Sequence, residues 1–206
     1  NGCIALATAM CPSVSHAFGC DTNLQAVQLA ARNAQLTGIA NTTFVHTDGS
    51  FSEFEDKKVD VIVGNLPRVI PTATNATARW MIGEDGYPHP TPPVVTYAGA
   101  DGLEVLRLVA EQGPAVLRDK DPVPEGESSG PSVPNVILEY HPQGHSHESS
   151  LKELFVCSGW QDVRIQEVEG SMVFTAHWPR GQQRQAQPDT GRLDSASWWR
   201  TLFSRS

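Results

Sequence analysis

Three short stretches carry side chains of the right type for nucleotide and nitrogen chemistry. Phe18-Gly19-Cys20-Asp21 closes a run that alternates from Val14, so Asp21 stands at the tip of a strand, about 20 residues past a glycine turn. A carboxylate there accepts from both hydroxyls of a ribose, or it caps the following helix together with Thr22 and Asn23. Thr47-Asp48-Gly49-Ser50 follows a second strand. Asp48 either accepts from an adenine amino group or closes an ordinary Asp-Gly turn. Asn65-Leu66-Pro67-Arg68 ends the apolar run Val59-Asp60-Val61-Ile62-Val63. An Asn-x-Pro turn at a strand tip presents an amide oxygen and backbone carbonyls to a substrate NH₂. Those acceptors can aim the nitrogen lone pair at an electrophilic methyl, which is catalysis by positioning. The same turn also has a purely structural reading.

These residues need a scaffold that brings strand ends together. Cys3 to Met10 is a helix-compatible apolar run, Val14 to Cys20 a strand, and Leu24 to Leu36 a helix ending at Gly38, with Ala26, Leu29, Ala30 and Leu36 at helical spacing. Thr42 to His46 is a second strand. Val59 to Val63 is the strongest, and its β-branched run predicts a central parallel strand covered on both faces. This rhythm predicts a doubly wound α/β sheet. In such sheets ligands sit beyond the carboxyl ends of the strands, where Asn1-Gly2, Asp21, Asp48, Asn65 to Arg68 and Glu139 all fall.

Residues 71–97, rich in Pro, Thr, Gly and Asn, read as a long substrate-side loop. Ala100 to Leu117 is helical, with Leu103, Leu106, Val109 and Ala110 on one face. Residues 119–134 read as a flexible insertion, Val136 to Tyr140 as a buried strand, and Ser150-Leu151-Lys152-Glu153 as a capping box opening a helix to Cys157. Val163–Val168 and Ser171–Trp178 form a closing hairpin. The reading is one domain over 1–178 and a polar tail over 179–206 that holds Trp198, Trp199 and Arg200.

Composition sets limits. With 206 residues, 39% hydrophobic, a packed core is available, and no apolar run is long enough to span a membrane. A net charge of −8 argues against broad nucleic-acid binding. Cys3, Cys11, Cys20 and Cys157 are too few and scattered for a disulfide framework, and three sit in apolar contexts that suggest small buried side chains in a reducing compartment. His141, His145 and His147 follow a strand, but their spacing fixes no common face, so no metal site is assigned. No Ser-His-Asp order supports a hydrolase.

The pattern resembles the class I S-adenosylmethionine-dependent methyltransferases, and within them the HemK/PrmC-like protein glutamine N5-methyltransferases. Gly2-Cys3-Ile4-Ala5-Leu6-Ala7 is similar to the last glycine and first helix of the family's glycine loop. Asn65-Leu66-Pro67-Arg68 stands at its Asn-Pro-Pro-Tyr, and Gly99-Ala100-Asp101-Gly102-Leu103 at its Gly-x-Asp-Gly-Leu segment. Val136-Ile137-Leu138-Glu139 resembles its fifth strand. The resemblance covers about residues 1–118 and 135–178.

It implies a Rossmann-like fold, mostly parallel with an antiparallel C-terminal strand, whose first strand is missing from this chain. It implies S-adenosylmethionine as cofactor, bound by Gly2, Asp21, Asp48 and Asn65. Asn65 and Pro67 would be catalytic, and Asn65, Leu66, Pro67 and Arg68 would bind a planar nitrogen. The implied partner is a protein substrate such as a peptide release factor, in the cytoplasm, with an organellar location left open. Leu66 and Arg68 replace a proline and an aromatic, and a cation beside a nitrogen gaining positive charge is unfavourable. That departure motivates an alternative, a non-catalytic binding or assembly subunit. Methylation of a nucleic-acid amino group is a weaker alternative.

Overall fold

The structure is a computed structural model that describes residues 1–54, 56–66, 80–82, 88–90, 100–118, 133–140 and 145–179, with backbone alone for 80–82, 88–90, 145 and 146. Pro67, Arg68, most of the 71–97 stretch, 119–132 and 180–206 lie outside the described residues. Two compact units are present, divided between Lys57 and Lys58.

The first unit runs α1 (Cys3–Ala9), β1 (Ala17–Asp21), α2 (Leu24–Thr37), β2 (Thr42–His46) and a 3-10 turn (Ser52–Phe54). Strands β1 and β2 are parallel, in register from Ala17↔Thr42 to Asp21↔His46, with α2 as the crossover. Asn23 caps α2, its Oδ1 accepting from Gln25 N at 2.9 Å and Ala26 N at 3.4 Å. Gly38 ends the helix at φ 70°, donating to the Ala34 and Gln35 carbonyls. The buried face of α2 is Ala30 and Ala34, whereas Leu29 and Leu36 are 47% and 74% exposed. Close packing explains the difference from the expected face. A Cβ on Gly2 would stand 2.7 Å from Ala30 Cβ and 3.0 Å from the Phe44 ring, so only small side chains fit where α2 meets the start of α1.

The second unit contains β3 (Ile62–Gly64), β4 (Trp80–Ile82), β5 (Pro88–Pro90), α3 (Glu104–Val116), β6 (Val136–Tyr140), α4 (His145–Cys157), β7 (Gln161–Val168) and β8 (Ser171–His177). One sheet has the order β3-β6-β8-β7. Its β3–β6 ladder is parallel, and the β6–β8 and β7–β8 ladders are antiparallel. Glu169 and Gly170 join β7 to β8 with φ of 50° and 82°, the geometry of a two-residue hairpin turn. The core is built around Leu138, Leu151, Phe155 and Phe174, with the Phe155 and Phe174 rings 4.6 Å apart. Gly113 on α3 lets Ile62 and Trp160 pack close, since a Cβ there would stand 3.1 Å from Ile62 Cδ1.

The mixed α/β class is as expected. The sheet is less parallel than the sequence suggests, because the described strands form three sheets and antiparallel ladders are more numerous. The expected central strand is also shorter. Val59 forms an isolated bridge to Leu117, the ladder to β6 begins only at Ile62, and Val63 is 43% exposed. Within the 71–97 loop, β4 and β5 pair as an antiparallel ladder. Helix α4 starts at His145, five residues before the capping-box serine. Its first turn is held by buried His147, whose Nδ1 lies 3.2 Å from the Tyr140 hydroxyl, and that packing overrides the local cap signal. Helix α3 starts at Glu104 rather than Ala100, because Asp101 accepts from Leu103 N at 2.9 Å and Gly102 turns at φ 73°. All four cysteines are free and exposed, contrary to the buried reading. The pattern along β1 shows why for Cys20, since only Ala17 is buried there.

Candidate active site

The in-step parallel pairing of β1 and β2 sends both chains out at the same end. Thr47 N donates to Asp21 O at 3.2 Å across that end, so Asp21 and Asp48 leave adjacent strand tips together. Asp21 Oδ1 accepts from Asn23 N at 2.9 Å, in a tight turn that precedes the helix. The capping oxygen belongs to Asn23, so Asp21 is not the cap of α2. Among the described residues no partner engages Asp21 Oδ2, and the carboxylate is exposed. His46 donates through Nε2 to Thr22 O at 3.1 Å and secures the same corner.

Asp48 sits in a turn knitted by its own side chains. Its Oδ1 accepts from Ser50 N at 2.9 Å, Thr47 donates from Oγ1 to Ser50 O at 2.8 Å, and Gly49 has φ 100°. The Ser50 hydroxyl and then the Ser50 N–H hold the Asp48 carboxyl below its ordinary value, so it is ionised at neutral pH. A carboxylate has about four acceptor positions, so accepting from Ser50 leaves capacity for an outside donor. The two carboxylates therefore fit a ligand rich in hydroxyl and amino donors and bearing positive charge. Gly2, at φ 80° before α1, has its open side filled by Ala30 and Phe44, so internal packing accounts for that glycine.

Asn65 lies in the second unit. Leu138 faces Gly64 across the β3–β6 ladder, and the next residues in step are Asn65 and Glu139. Asn65 donates from Nδ2 to Glu139 Oε2 at 2.6 Å. Leu66 packs beside Gly64. Sequence alone places Glu139 at a strand end without a task; the equal step of two parallel strands is the signal that pairs it with Asn65. Pro67 and Arg68 lie outside the described residues. Among the described residues no group of three or more His, Cys, Asp or Glu could hold a metal ion, and no helix is long and apolar enough to cross a membrane.

Comparison with known proteins adds to this geometry. Residues 1–84 match the family model described as ribosomal protein L11 methyltransferase (PrmA). The chain is 32% identical over 119 residues to the release factor glutamine methyltransferase of Xylella fastidiosa, covering 57% of this chain and 40% of that protein. It is 34% identical over 129 residues to the protein of the same name from Deinococcus radiodurans, covering 59% and 43%. It is 26% identical over 117 residues to the ribosomal protein uL3 glutamine methyltransferase of Bordetella pertussis, covering 57% and 37%. By these likenesses the chain is similar to methyltransferases. The particular relatives are protein glutamine methyltransferases, so the HemK/PrmC-like resemblance is borne out. The chain spans about 40% of the length of the first relatives it matches.

Proposed function

We propose that this chain carries the core of an S-adenosylmethionine-dependent enzyme that methylates the side-chain nitrogen of a protein glutamine, with a peptide release factor as the acceptor. The observation that carries the reading is the pair of carboxylates, Asp21 and Asp48, leaving adjacent parallel strand tips. The names of the relatives support it. Asp21 would accept from the ribose hydroxyls and Asp48 from the adenine amino group. When bound, the cofactor supplies an electrophilic methyl on a sulfonium, so no metal is required.

The task left to the protein is orientation. An amide nitrogen is a poor nucleophile because its lone pair is delocalised into the carbonyl. Asn65 would accept from the substrate NH₂ and hold the nitrogen with its lone pair turned toward the methyl, as would the backbone carbonyls of the turn that follows. With the cofactor bound, the nitrogen held by Asn65 would take the methyl that the sulfonium gives up, and one nitrogen proton would pass to water.

The test is calorimetric titration of S-adenosylhomocysteine into the full-length protein, followed by methyl transfer to purified release factor. Binding near micromolar, about −8 kcal/mol, that collapses in Asp21→Ala, and methylation of a single glutamine, support the reading. A folded protein that binds no S-adenosylhomocysteine overturns it. Binding without transfer favours the non-catalytic alternative, for which Arg68 in place of an aromatic is the motive.

A further inference from the structure

We propose that Glu139 is the positioning residue that fixes which way the Asn65 amide faces, so that its oxygen rather than its NH₂ meets the nitrogen to be methylated. The proposal rests on the methyl-transfer reading above. An asparagine amide has a donor end and an acceptor end of nearly the same shape, and in water it turns between them freely. Only one orientation can receive a substrate NH₂; the other sets donor against donor.

The structure supplies the discriminator. Asn65 Nδ2 donates to Glu139 Oε2 at 2.6 Å. An ionised carboxylate only accepts, so it can face only the NH₂ end. Turning the amide over would set Asn65 Oδ1 against Oε2 with no proton between them. A hydrogen bond to an ionised group is about twice as strong as a neutral one, and the charge also polarises the amide toward a more basic Oδ1.

Backbone geometry keeps this pair together. β3 and β6 run parallel in step, so Asn65 and Glu139 leave the ladder one residue beyond the Gly64↔Leu138 pair. Glu139 interrupts an otherwise apolar strand, Val136-Ile137-Leu138 before it and Tyr140 after it. Sheet packing alone gives no reason for a carboxylate there.

The experiment is a double-mutant cycle on Asn65→Ala and Glu139→Gln in the full-length protein. It reads kcat and KM for methyl transfer to release factor, S-adenosylhomocysteine affinity and melting temperature. The glutamine side chain keeps the size and loses the charge, and its own amide can turn. The expected result is a fall in kcat of about 10–100-fold for Glu139→Gln, with cofactor affinity and melting temperature unchanged. Because Glu139 acts through Asn65, Glu139→Gln should cost nothing further in the Asn65→Ala background. Full kcat in Glu139→Gln, or losses that multiply in the double variant, overturns the proposal.

A second measurement does not depend on turnover. In ¹H–¹⁵N spectra the Asn65 side-chain amide, assigned by its disappearance in Asn65→Ala, should have one proton shifted downfield and exchanging slowly. Glu139→Gln should abolish both features. If the wild-type signal lacks them, the proposal fails whatever the activity. If they are present while the wild-type protein transfers no methyl group, the functional reading fails and the orientation stands.

Discussion

The indole of Trp160 donates from Nε1 to the carbonyl of Ala110 at 2.9 Å, and that carbonyl is the one Pro114 leaves without a helical partner. In an α-helix the carbonyl of residue 110 is served by the N–H of residue 114. Proline has none. Ala110 is fully buried, so water cannot substitute. The tryptophan thus repairs a defect that the proline introduces, and it ties α3 to the segment after α4.

The repair predicts a specific coupling. Trp160→Phe keeps most of the ring packing but orphans the Ala110 carbonyl, at a cost of about 1–3 kcal/mol. Pro114→Ala restores the helical donor. Urea unfolding should therefore find Pro114→Ala more stabilising in the Trp160→Phe background than in the wild type, by about 1 kcal/mol. Equal gains in both backgrounds would reduce Trp160 to a packing residue.

A second coupling gives a pH dependence. Asp101 holds the start of α3, accepting from Leu103 N at 2.9 Å and from Arg107 Nη2 at 2.8 Å. Partial burial works to raise its pKa, but the hydrogen bonds from Arg107 and Leu103 outweigh that, and the net shift is downward. A carboxyl with a depressed folded pKa stabilises the fold above the ordinary aspartate range, and this stabilisation is lost as pH falls through the folded value. Arg107→Met should therefore lower the melting temperature at pH 7 and leave it nearly unchanged near the acid limit. Both side chains are more than a third exposed, 38% and 49%, so added salt should shrink the difference. A melting difference independent of pH would exclude this account.

How much of this was legible in advance depended on whether the signal was local. Asn23 and Gly38 bound α2 as their types suggest, because caps act within one turn. The tip position of Asp21 followed from the alternation that precedes it. The buried face of α2 did not. Helical spacing treats Leu29 and Ala30 as equals, and the choice between them was made by Gly2 and Phe44, residues far away in sequence. The early start of α4 was likewise set by Tyr140 reaching His147. For the candidate site, residue types were legible, whereas the pairing of Asn65 with Glu139 required the register of two strands some seventy residues apart.

Gly2 and Gly38 separate backbone strain from crowding. Both have positive φ, 80° and 70°, but a Cβ on Gly2 meets Ala30 at 2.7 Å while one on Gly38 meets nothing within 4 Å. Gly38→Ala should cost about 1 kcal/mol, the penalty of a left-handed alanine. Gly2→Ala should cost that and about 1–3 kcal/mol more for overpacking. Ala30→Gly should return part of the difference to Gly2→Ala and nothing to Gly38→Ala. Equal costs for the two glycine substitutions in urea unfolding would show that the α1–α2 contact relaxes without penalty.

Asp21 and Asn23 divide two roles that the sequence could not separate. Asn23 supplies the oxygen that caps α2, and Asp21 contributes only a turn bond to Asn23 N. Asn23→Ala should therefore destabilise the protein by about 1 kcal/mol, the usual value for a lost cap. At temperatures where it remains folded, it should leave S-adenosylhomocysteine affinity nearly intact. Asp21→Ala should do the reverse. On the proposed reading, loss of two charge-assisted acceptances from ribose hydroxyls would weaken binding by about 2–4 kcal/mol, a factor of roughly 30 to 1,000, while the melting temperature would move little. Calorimetry and thermal unfolding on the same two variants decide it. If Asp21→Ala lowers the melting temperature as much as Asn23→Ala and leaves affinity unchanged, Asp21 is a turn residue, and the cofactor site must be sought elsewhere.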